Sequence, residues 1–291
     1  MNQEIAKLIE RQEAVSAEWR DKLKGIQQRQ FTYTSPLGNV LHYTLQCNTE
    51  RIRSTMAKTG AVAAPVKCRI CADNRPSDQL FFVWKAEQSG NAFDILINPF
   101  PIFPAHLTVV STVHRPQTID ARDMQEFAYY SRLAVFFNGA DCGASIPAHM
   151  HYQAAPIECF NLIEDADGLD TKPITEKAGW LVGMERDVIF METRENDDAQ
   201  AELLSILDVL DRDTDRMINV VVYYNESSSS FHWFIFPRKK FRPECFFAED
   251  EAQRRLVSPA TAEMCGVIVT PDINTFENIT CEEIHNIIYN S

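Results

Sequence analysis

The run His149-Met150-His151-Tyr152-Gln153 constrains the fold and the chemistry of this chain more than any other stretch. If the run forms a β-strand, alternate side chains share one face, so that His149, His151 and Gln153 line up together. A neutral imidazole can attack a phosphorus atom, and a neighbouring amide can donate a hydrogen bond to a phosphate oxygen without taking up a proton. The alternative interpretation is an ordinary strand in which the polar side chains have satisfied partners.

Small residues dominate the segment before this strand. Residues 138–147 read Asn-Gly-Ala-Asp-Cys-Gly-Ala-Ser-Ile-Pro. Glycines and short side chains let backbone N–H groups close around an anion. The segment therefore favours the phosphate interpretation of the strand over the purely structural one.

These motifs resemble the histidine-triad (HIT) superfamily, in the nucleotidyl-transferring branch that includes galactose-1-phosphate uridylyltransferase, diadenosine tetraphosphate phosphorylase and GDP-L-galactose phosphorylase. In that branch an Asn, a Gly/Ala/Ser loop and a His-x-His-x-Gln run follow in this order. The resemblance implies that His151 is the nucleophile and that Gln153 contacts the phosphate, which Asn138 and Ser145 also bind. Hydrolytic members have a third His where this chain has Gln153. Because Gln cannot protonate a leaving group at neutral pH, the substitution favours group transfer over hydrolysis.

Cys68 and Cys71 form a C-x-x-C motif. Two such thiolates can share one Zn²⁺ ion but need two more ligands, so a reduced dithiol without metal and a redox pair stay open as alternatives. In the uridylyltransferases the motif is joined by a His after the preceding strand and by the first His of the His-x-His pair. The resemblance therefore implies a site of Cys68, Cys71, His114 and His149. Four protein ligands leave no open position for water, so we expect structural zinc and no organic cofactor.

Three further residues are candidates for substrate binding. Asn98 opens an Asn-Pro-Phe-Pro step that resembles the nucleoside-contacting segment of the family, and Glu263 matches a Glu that contacts the acceptor. Arg51 belongs to a group of basic residues near the Cys pair that could form a local positive patch: Arg51, Arg53, Lys67, Arg69 and Arg75. A second basic cluster spans residues 238–242. The alternative is that these charges are solvated surface residues, as most are.

Composition limits the classes of partner and compartment. The 291 residues are 45% apolar, which is enough for one large or two medium domains. A net charge of −13 disfavours nucleic acid as a partner, because affinity for a polyanion needs a basic surface. Eight cysteines at irregular spacing, no apolar stretch after Met1 and no apolar run of about 18 residues predict a cytoplasmic protein that does not bind a membrane.

The periodicity predicts an α+β fold. We expect one amphipathic N-terminal helix from Ile5 to Ile26, a helix capped by Asp120 that runs towards Asn138, and strands at 31–34, 39–46, 80–85, 92–97, 106–112 and 149–155. A weaker copy of the plan follows, with strands at 187–192, 218–224 and 231–236 and a helix at 199–210. Thr280 and Glu283 predict a capping box for the last helix. This pattern fits HIT-like antiparallel sheets with packed helices in two pseudo-repeated halves: an arm (1–30), a catalytic half (31–177) and a second half (178–291).

The resemblance implies an enzyme that cleaves a nucleoside diphosphate sugar through a nucleotidyl-His151 intermediate, which phosphate or a sugar phosphate then captures. The opening Glu18-Trp19-Arg20-Asp21, followed by Phe31-Thr32-Tyr33, is most similar to GDP-L-galactose phosphorylase, so a GDP-hexose is the first choice of substrate. Two alternatives remain: a dinucleoside polyphosphate phosphorylase or hydrolase, and a non-catalytic nucleotide-binding protein of the same fold. A homodimer is also expected.

Overall fold

The computed structural model describes residues 1–56, 67–210 and 215–291. Its strands are β1 (Gln27–Thr34), β2 (Val40–Cys47), β3 (Phe81–Lys85), β4 (Ala92–Ile97), β5 (Leu107–Ser111), β6 (Ala134–Asn138), β7 (His151–Ala155), β8 (Thr171–Pro173), β9 (Ala178–Leu181), β10 (Ile189–Thr193), β11 (Ile218–Asn225), β12 (Ser230–Pro237) and β13 (Val267–Thr270). Its α-helices are α1 (Gln3–Val15), α2 (Glu18–Lys24), α3 (Ile52–Thr55), α4 (Ala121–Ser131), α5 (Asn161–Asp165), α6 (Ala199–Val209), α7 (Thr261–Met264), α8 (Ile273–Asn278) and α9 (Cys281–Tyr289).

Ten of these strands form one antiparallel sheet in the order β3-β4-β5-β7-β6-β11-β12-β10-β9-β8. Each half of the sheet has five strands that are consecutive in the chain, β3 to β7 in one half and β8 to β12 in the other. From either edge of the sheet inwards, the strands of that half lie in the order first, second, third, fifth and fourth. In the chain, helix α4 connects the third and fourth strands of one half (β5 and β6), and α6 connects the third and fourth strands of the other (β10 and β11). The topology confirms the predicted α+β fold with two repeated halves, which join where β6 pairs with β11.

Both faces of this sheet are covered by other elements. In β6, Val135 belongs to an apolar cluster that includes Phe127 of α4, whereas Phe136 belongs to a second cluster that includes Leu45 of β2 and Ile287 of α9. Strands β5 and β6 are therefore buried along their whole length, as strands covered on both faces are. A three-stranded sheet, β1-β2-β13, lies over the second face.

The prediction of one continuous N-terminal helix was wrong, because the structure has two short helices there. Helix α1 ends at Val15, Ser16 is extended (φ −155°), and α2 ends at Lys24, just before β1. Ile5 and Trp19 are buried as the pattern predicted, but Val15 is 54% exposed. The apolar spacing therefore identified the face that packs on the body and missed the break between two short helices.

Two boundaries near the His-x-His run also differ from the prediction. The helix capped by Asp120 ends at Ser131, because Arg132 adopts a left-handed conformation (φ 57°) that ends the helix, and β6 then carries the chain to Asn138. Strand β7 begins at His151, so that His149 lies in the turn before it. The capping box of Thr280 and Glu283 at the start of α9 is confirmed.

In the residues that the structure describes, no helix combines the length and the apolar character that crossing a bilayer requires.

Candidate active site and metal cluster

A cavity of about 520 Å³ lies at the end of β7, within the size range of small-molecule sites. All seven residues that the sequence analysis assigned to catalysis or substrate binding line it: Arg51, Asn98, Asn138, Ser145, His151, Gln153 and Glu263. They come from five separate parts of the chain. The fold therefore brings the predicted set together in one place.

His151 has the hydrogen-bond pattern of a nucleophile. Its Nδ1 lies 2.8 Å from the backbone oxygen of His149, and since a carbonyl oxygen can only accept, Nδ1 must carry the proton. The lone pair is then on Nε2, the other ring nitrogen. Burial lowers the pKa of His151, so the neutral form that attack requires is favoured. The hydrogen bond to His149 therefore orients the side chain, and burial favours its neutral form.

Gln153 lies on the same face of β7, two residues further along. Its Oε1 lies 2.9 Å from His106 Nε2. Since β5 and β7 are paired with Thr108 opposite Gln153, His106 is the diagonal neighbour of Gln153 on that face. With Oε1 held by the protein, the NH₂ group is what Gln153 can offer to a ligand.

Asn138, at the end of β6, also has its amide oxygen held by donors of the protein. Its Oδ1 accepts hydrogen bonds from Asn219 Nδ2 at 3.1 Å and from the backbone nitrogen of Thr261 at 2.9 Å. The Thr261 hydroxyl lies 2.8 Å from the same oxygen and 2.7 Å from the carbonyl oxygen of Phe137. The buried guanidinium of Arg238 in turn donates to the side-chain oxygen of Asn219. Two N–H donors on one oxygen leave the NH₂ group of Asn138 as its donor towards the cavity, which suits an anionic ligand.

The small-residue segment after β6 is tight because its glycines allow close approach. A Cβ on Gly143 would lie 2.6 Å from the Cβ of Ala260, and the φ of Gly143 is +122°. The backbone N–H groups of Cys142 and Ala144 donate to the carbonyl of Gly139, so these two are engaged within the segment. Ser145 is exposed at the cavity. The loop therefore presents fewer free amides to an anion than its composition predicted.

Basic residues differ in how they relate to the cavity. Arg51, Arg53 and Arg69 line it, as does Lys22 of α2. Arg75 does not: it forms a buried ion pair with Asp94 at 2.8 Å. The second basic cluster also contributes mainly to structure, because Arg238 is 1% exposed and donates to the backbone oxygens of residues 259 and 291. Lys67 is exposed.

Asn98 and Glu263 have internal partners as well as a place in the cavity wall. Asn98 Oδ1 accepts from the backbone nitrogen of Phe100 at 2.9 Å. Glu263 Oε2 accepts from the backbone nitrogen of Ala260 at 2.8 Å, at the start of α7, and burial raises the pKa of its carboxyl. Arg51 donates to the backbone oxygen of Phe100. These contacts hold residues 98–101 and the start of α7 in the wall of the cavity.

Cys68, Cys71, His114 and His149 form one cluster, with ligand atoms all within 4.8 Å of one another. Cys68 Sγ lies 3.2 Å from His149 Nδ1, and Cys71 Sγ lies 3.1 Å from His114 Nδ1. Around a tetrahedral zinc ion, a sulfur and a nitrogen ligand are about 3.6 Å apart. The four residues can therefore hold a metal ion, as the sequence analysis predicted.

Hydrogen bonds connect the cluster to the sheet and to His151. His149 Nε2 donates to the backbone oxygen of Ser111 at 2.8 Å, which leaves the Nδ1 lone pair facing the two cysteines. Arg75 donates to the backbone oxygen of Ile70 and pairs with Asp94 of β4. Because the carbonyl of His149 also accepts from His151, any ion that fixes His149 fixes the orientation of His151.

The sequence analysis missed His106, Asn219 and Thr261, which hold the two amides in place. His106 and Asn219 are fully buried in the structure, and so is Thr261. In the sequence they stand far from the residues they contact. Strand register brings His106 and Asn219 to them, and α7 brings Thr261 to the end of β6.

Comparison with known proteins places the chain in a family. The family model described as "Domain of unknown function (DUF4922)" matches residues 8–156, just over half of the chain. The chain belongs to this family. No curated protein matches its sequence.

Several solved structures of yeast Ap4A phosphorylase are similar to this chain. The complex with Ap4A has a TM-score of 0.62 at 16% identity and covers 97% of this chain and 96% of that one. The complex with AMP has a TM-score of 0.58 at 17% identity, covering 97% and 94%. At this level of identity the likeness shows the fold. The chain therefore shares the fold of yeast Ap4A phosphorylase, and diadenosine tetraphosphate phosphorylase is one of the proteins that the motifs resemble.

Proposed function

We propose that the protein is a nucleotidyltransferase of the phosphorylase type, with His151 as the covalent nucleophile. The observation that carries the proposal is a hydrogen bond of the buried His151 side chain, in which Nδ1–H donates to the carbonyl oxygen of His149. A histidine fixed in this tautomer has its Nε2 lone pair available for attack. Gln153 and Asn138 can both present N–H donors in the same cavity.

The proposed reaction has two balanced steps. In the first, the Nε2 lone pair of His151 attacks the α-phosphorus of a nucleotide, and the bond from that phosphorus to its bridging oxygen breaks. The leaving phosphate compound takes the bonding electrons, and the carbonyl of His149 stabilises the charge on the substituted imidazole through Nδ1–H. In the second, an oxygen of phosphate or a sugar phosphate attacks the same phosphorus, the N–P bond breaks, and neutral His151 is restored.

Gln153 favours transfer over hydrolysis in this scheme. Its amide can donate to a non-bridging oxygen, where negative charge increases during attack. An amide cannot act as a general acid or base at neutral pH, so Gln153 gives no proton to a leaving group and does not activate water. A phosphate acceptor already has an ionised oxygen and needs no such help.

Two substrate classes fit the cavity. The sequence resemblance favours a GDP-hexose, and the likeness of the fold to yeast Ap4A phosphorylase supports a dinucleoside polyphosphate at least as well. In either case the cations that line the cavity, Arg51, Arg53, Arg69 and Lys22, match a ligand with several phosphates.

We propose zinc as the ion of the Cys68, Cys71, His114 and His149 cluster. Two thiolates and two imidazoles are a donor set that zinc prefers, and the sulfur–nitrogen distances of 3.1 to 3.4 Å suit it after small adjustments. With four protein ligands the ion would be structural. It would stabilise the turn that carries His149 and so keep the carbonyl of His149 in place for His151.

The proposal is tested by incubating the protein with GDP-hexoses and dinucleoside polyphosphates, with and without inorganic phosphate. We expect release of a nucleoside diphosphate that requires phosphate, for one of the two substrate classes. Binding of these compounds without turnover, for the whole panel and with metal-loaded protein, would instead support a non-catalytic nucleotide-binding protein.

A further inference from the structure

We propose that His106 is a positioning residue that sets the orientation of the Gln153 amide, so that its NH₂ group faces the phosphate. The inference rests on the proposed function for its catalytic consequence. Its structural basis is a chain of hydrogen bonds from a backbone N–H group, through the imidazole of His106, to the side chain of Gln153.

The backbone N–H group of Ile102 fixes the direction of this series of hydrogen bonds. The backbone nitrogen of Ile102 lies 3.2 Å from His106 Nδ1. A backbone N–H group can only donate, so Nδ1 must be the acceptor and carries no proton. In a neutral imidazole the proton is then on Nε2.

The tautomer of His106 fixes the hydrogen bond to Gln153. His106 Nε2–H can only donate, and the atom 2.9 Å away must therefore be the oxygen of the Gln153 amide. Asn98 Nδ2 also approaches His106 Nε2, but at 3.5 Å, and two N–H groups cannot satisfy each other. The rotation of the Gln153 amide is thus determined by a backbone donor four residues before His106 in the chain.

The surroundings keep His106 in this one state. The ring is fully buried, with Phe103 at 5.6 Å and Phe136 at 5.8 Å between ring centroids. Burial, assisted by the nearby charge of Arg51, lowers the pKa of His106 to about 3. Protonation would also place an N–H group against the N–H group of Ile102. The direction of the hydrogen-bond chain therefore does not reverse at neutral pH.

The catalytic consequence concerns which end of the amide meets the phosphate. With Oε1 held by His106, Gln153 offers two N–H donors to the cavity. In the opposite rotation it would place a carbonyl oxygen against a non-bridging phosphate oxygen, which is repulsive. His106 is thus expected to affect the transition state without touching the substrate.

Two substitutions separate this role from simple filling of space. His106→Asn places an amide oxygen where Nδ1 was, so it can still accept from Ile102, but it does not reach Gln153. His106→Gln places an amide nitrogen near the position of Nε2, so it can still donate to Gln153, but it loses the acceptor for Ile102. A positioning role predicts a low kcat for the Asn variant and near-normal kcat for the Gln variant, whereas a purely structural role predicts the reverse.

We expect His106→Asn to lower kcat about ten- to hundredfold, somewhat less than removal of a direct oxyanion donor, with little change in KM. In a Gln153→Ala background the same substitution should have almost no further effect, because its target is gone. Equal kcat values for the Asn variant and the unaltered protein would overturn the inference. So would full additivity of the two substitutions.

A spectroscopic measurement separates failure of this inference from failure of the proposed function. Nitrogen chemical shifts of His106 report the tautomer whether or not the protein turns over any substrate. We expect the Nε2–H tautomer, unchanged on adding nucleotide. An Nδ1–H tautomer would overturn the inference even in an active enzyme, whereas the Nε2–H tautomer in a protein without turnover would contradict only the proposed function.

Discussion

The neutral, buried His106 should make the folded protein sensitive to acid. The unfolded chain takes up a proton at His106 near its ordinary pKa of 6.5, whereas the folded protein does so only near a pKa of about 3. Between these values the unfolded state binds more protons, so the free energy of unfolding falls as the pH falls. Protonation of His106 in the unfolded chain therefore lowers the free energy of unfolding by on the order of 2 kcal/mol between about pH 8 and about pH 5. The figure follows from about 1.36 kcal/mol for each pH unit below the unfolded-state pKa.

The assay compares the unaltered protein with His106→Asn by urea denaturation at several pH values, both loaded with zinc. The change in packing lowers the stability of the variant at every pH by a constant amount, and other titrating groups act in both proteins. We therefore expect the stability difference between the two to shrink by about 2 kcal/mol between pH 8 and pH 5. A difference that stays constant across this range would show that His106 titrates normally and would refute the reasoning.

Three further predictions concern the metal, the loop and the acceptor. Cys68→Ser should lower both the zinc content and the melting temperature, since structural zinc contributes folding energy, and an unchanged zinc content would contradict the cluster. Gly143→Ala should destabilise the protein by about 2 kcal/mol or more and weaken nucleotide binding, because its Cβ would lie 2.6 Å from the Cβ of Ala260. Gly168→Ala, at φ +73° with no atom near the added Cβ, is the matched control and should leave nucleotide affinity unchanged. Gln153→His should raise the hydrolysed fraction of product, and the same product ratio with and without phosphate in both proteins would contradict the assigned role of Gln153.

Local patterns in the sequence were sufficient for most of the elements around the site. The alternation in residues 149–153, the small residues before it and the C-x-x-C motif each lie within about ten residues. The structure brings His151, Gln153 and Ser145 to one cavity and His149 to the two cysteines, although His149 lies in the turn before β7 and the loop amides of Cys142 and Ala144 are engaged within the loop. The capping box of Thr280 and Glu283 is equally local. The boundaries at residues 30 and 177, the homodimer and the cytoplasmic location stay predictions.

What the sequence did not reveal depends on contacts between distant segments. The role of His106 requires the register of β5 against β7, and that of Asn219 requires the pairing of β11 with β6. Strand β13, which pairs in parallel with β2, was also missed, because its four buried residues, three of them apolar, carry no periodic signal. Such pairings are decided by the packing of the whole chain, which propensity at one position does not report.

The most direct test of the central claim is to locate the covalent intermediate. The protein is mixed with the substrate that it turns over, without an acceptor, quenched in base and digested, and the peptides are examined for the added mass of one nucleoside monophosphate. We predict an acid-labile, base-stable adduct on His151, and none on the peptide of His151→Ala although that variant still binds nucleotide. Turnover without any adduct, or an adduct on another residue, would contradict the account.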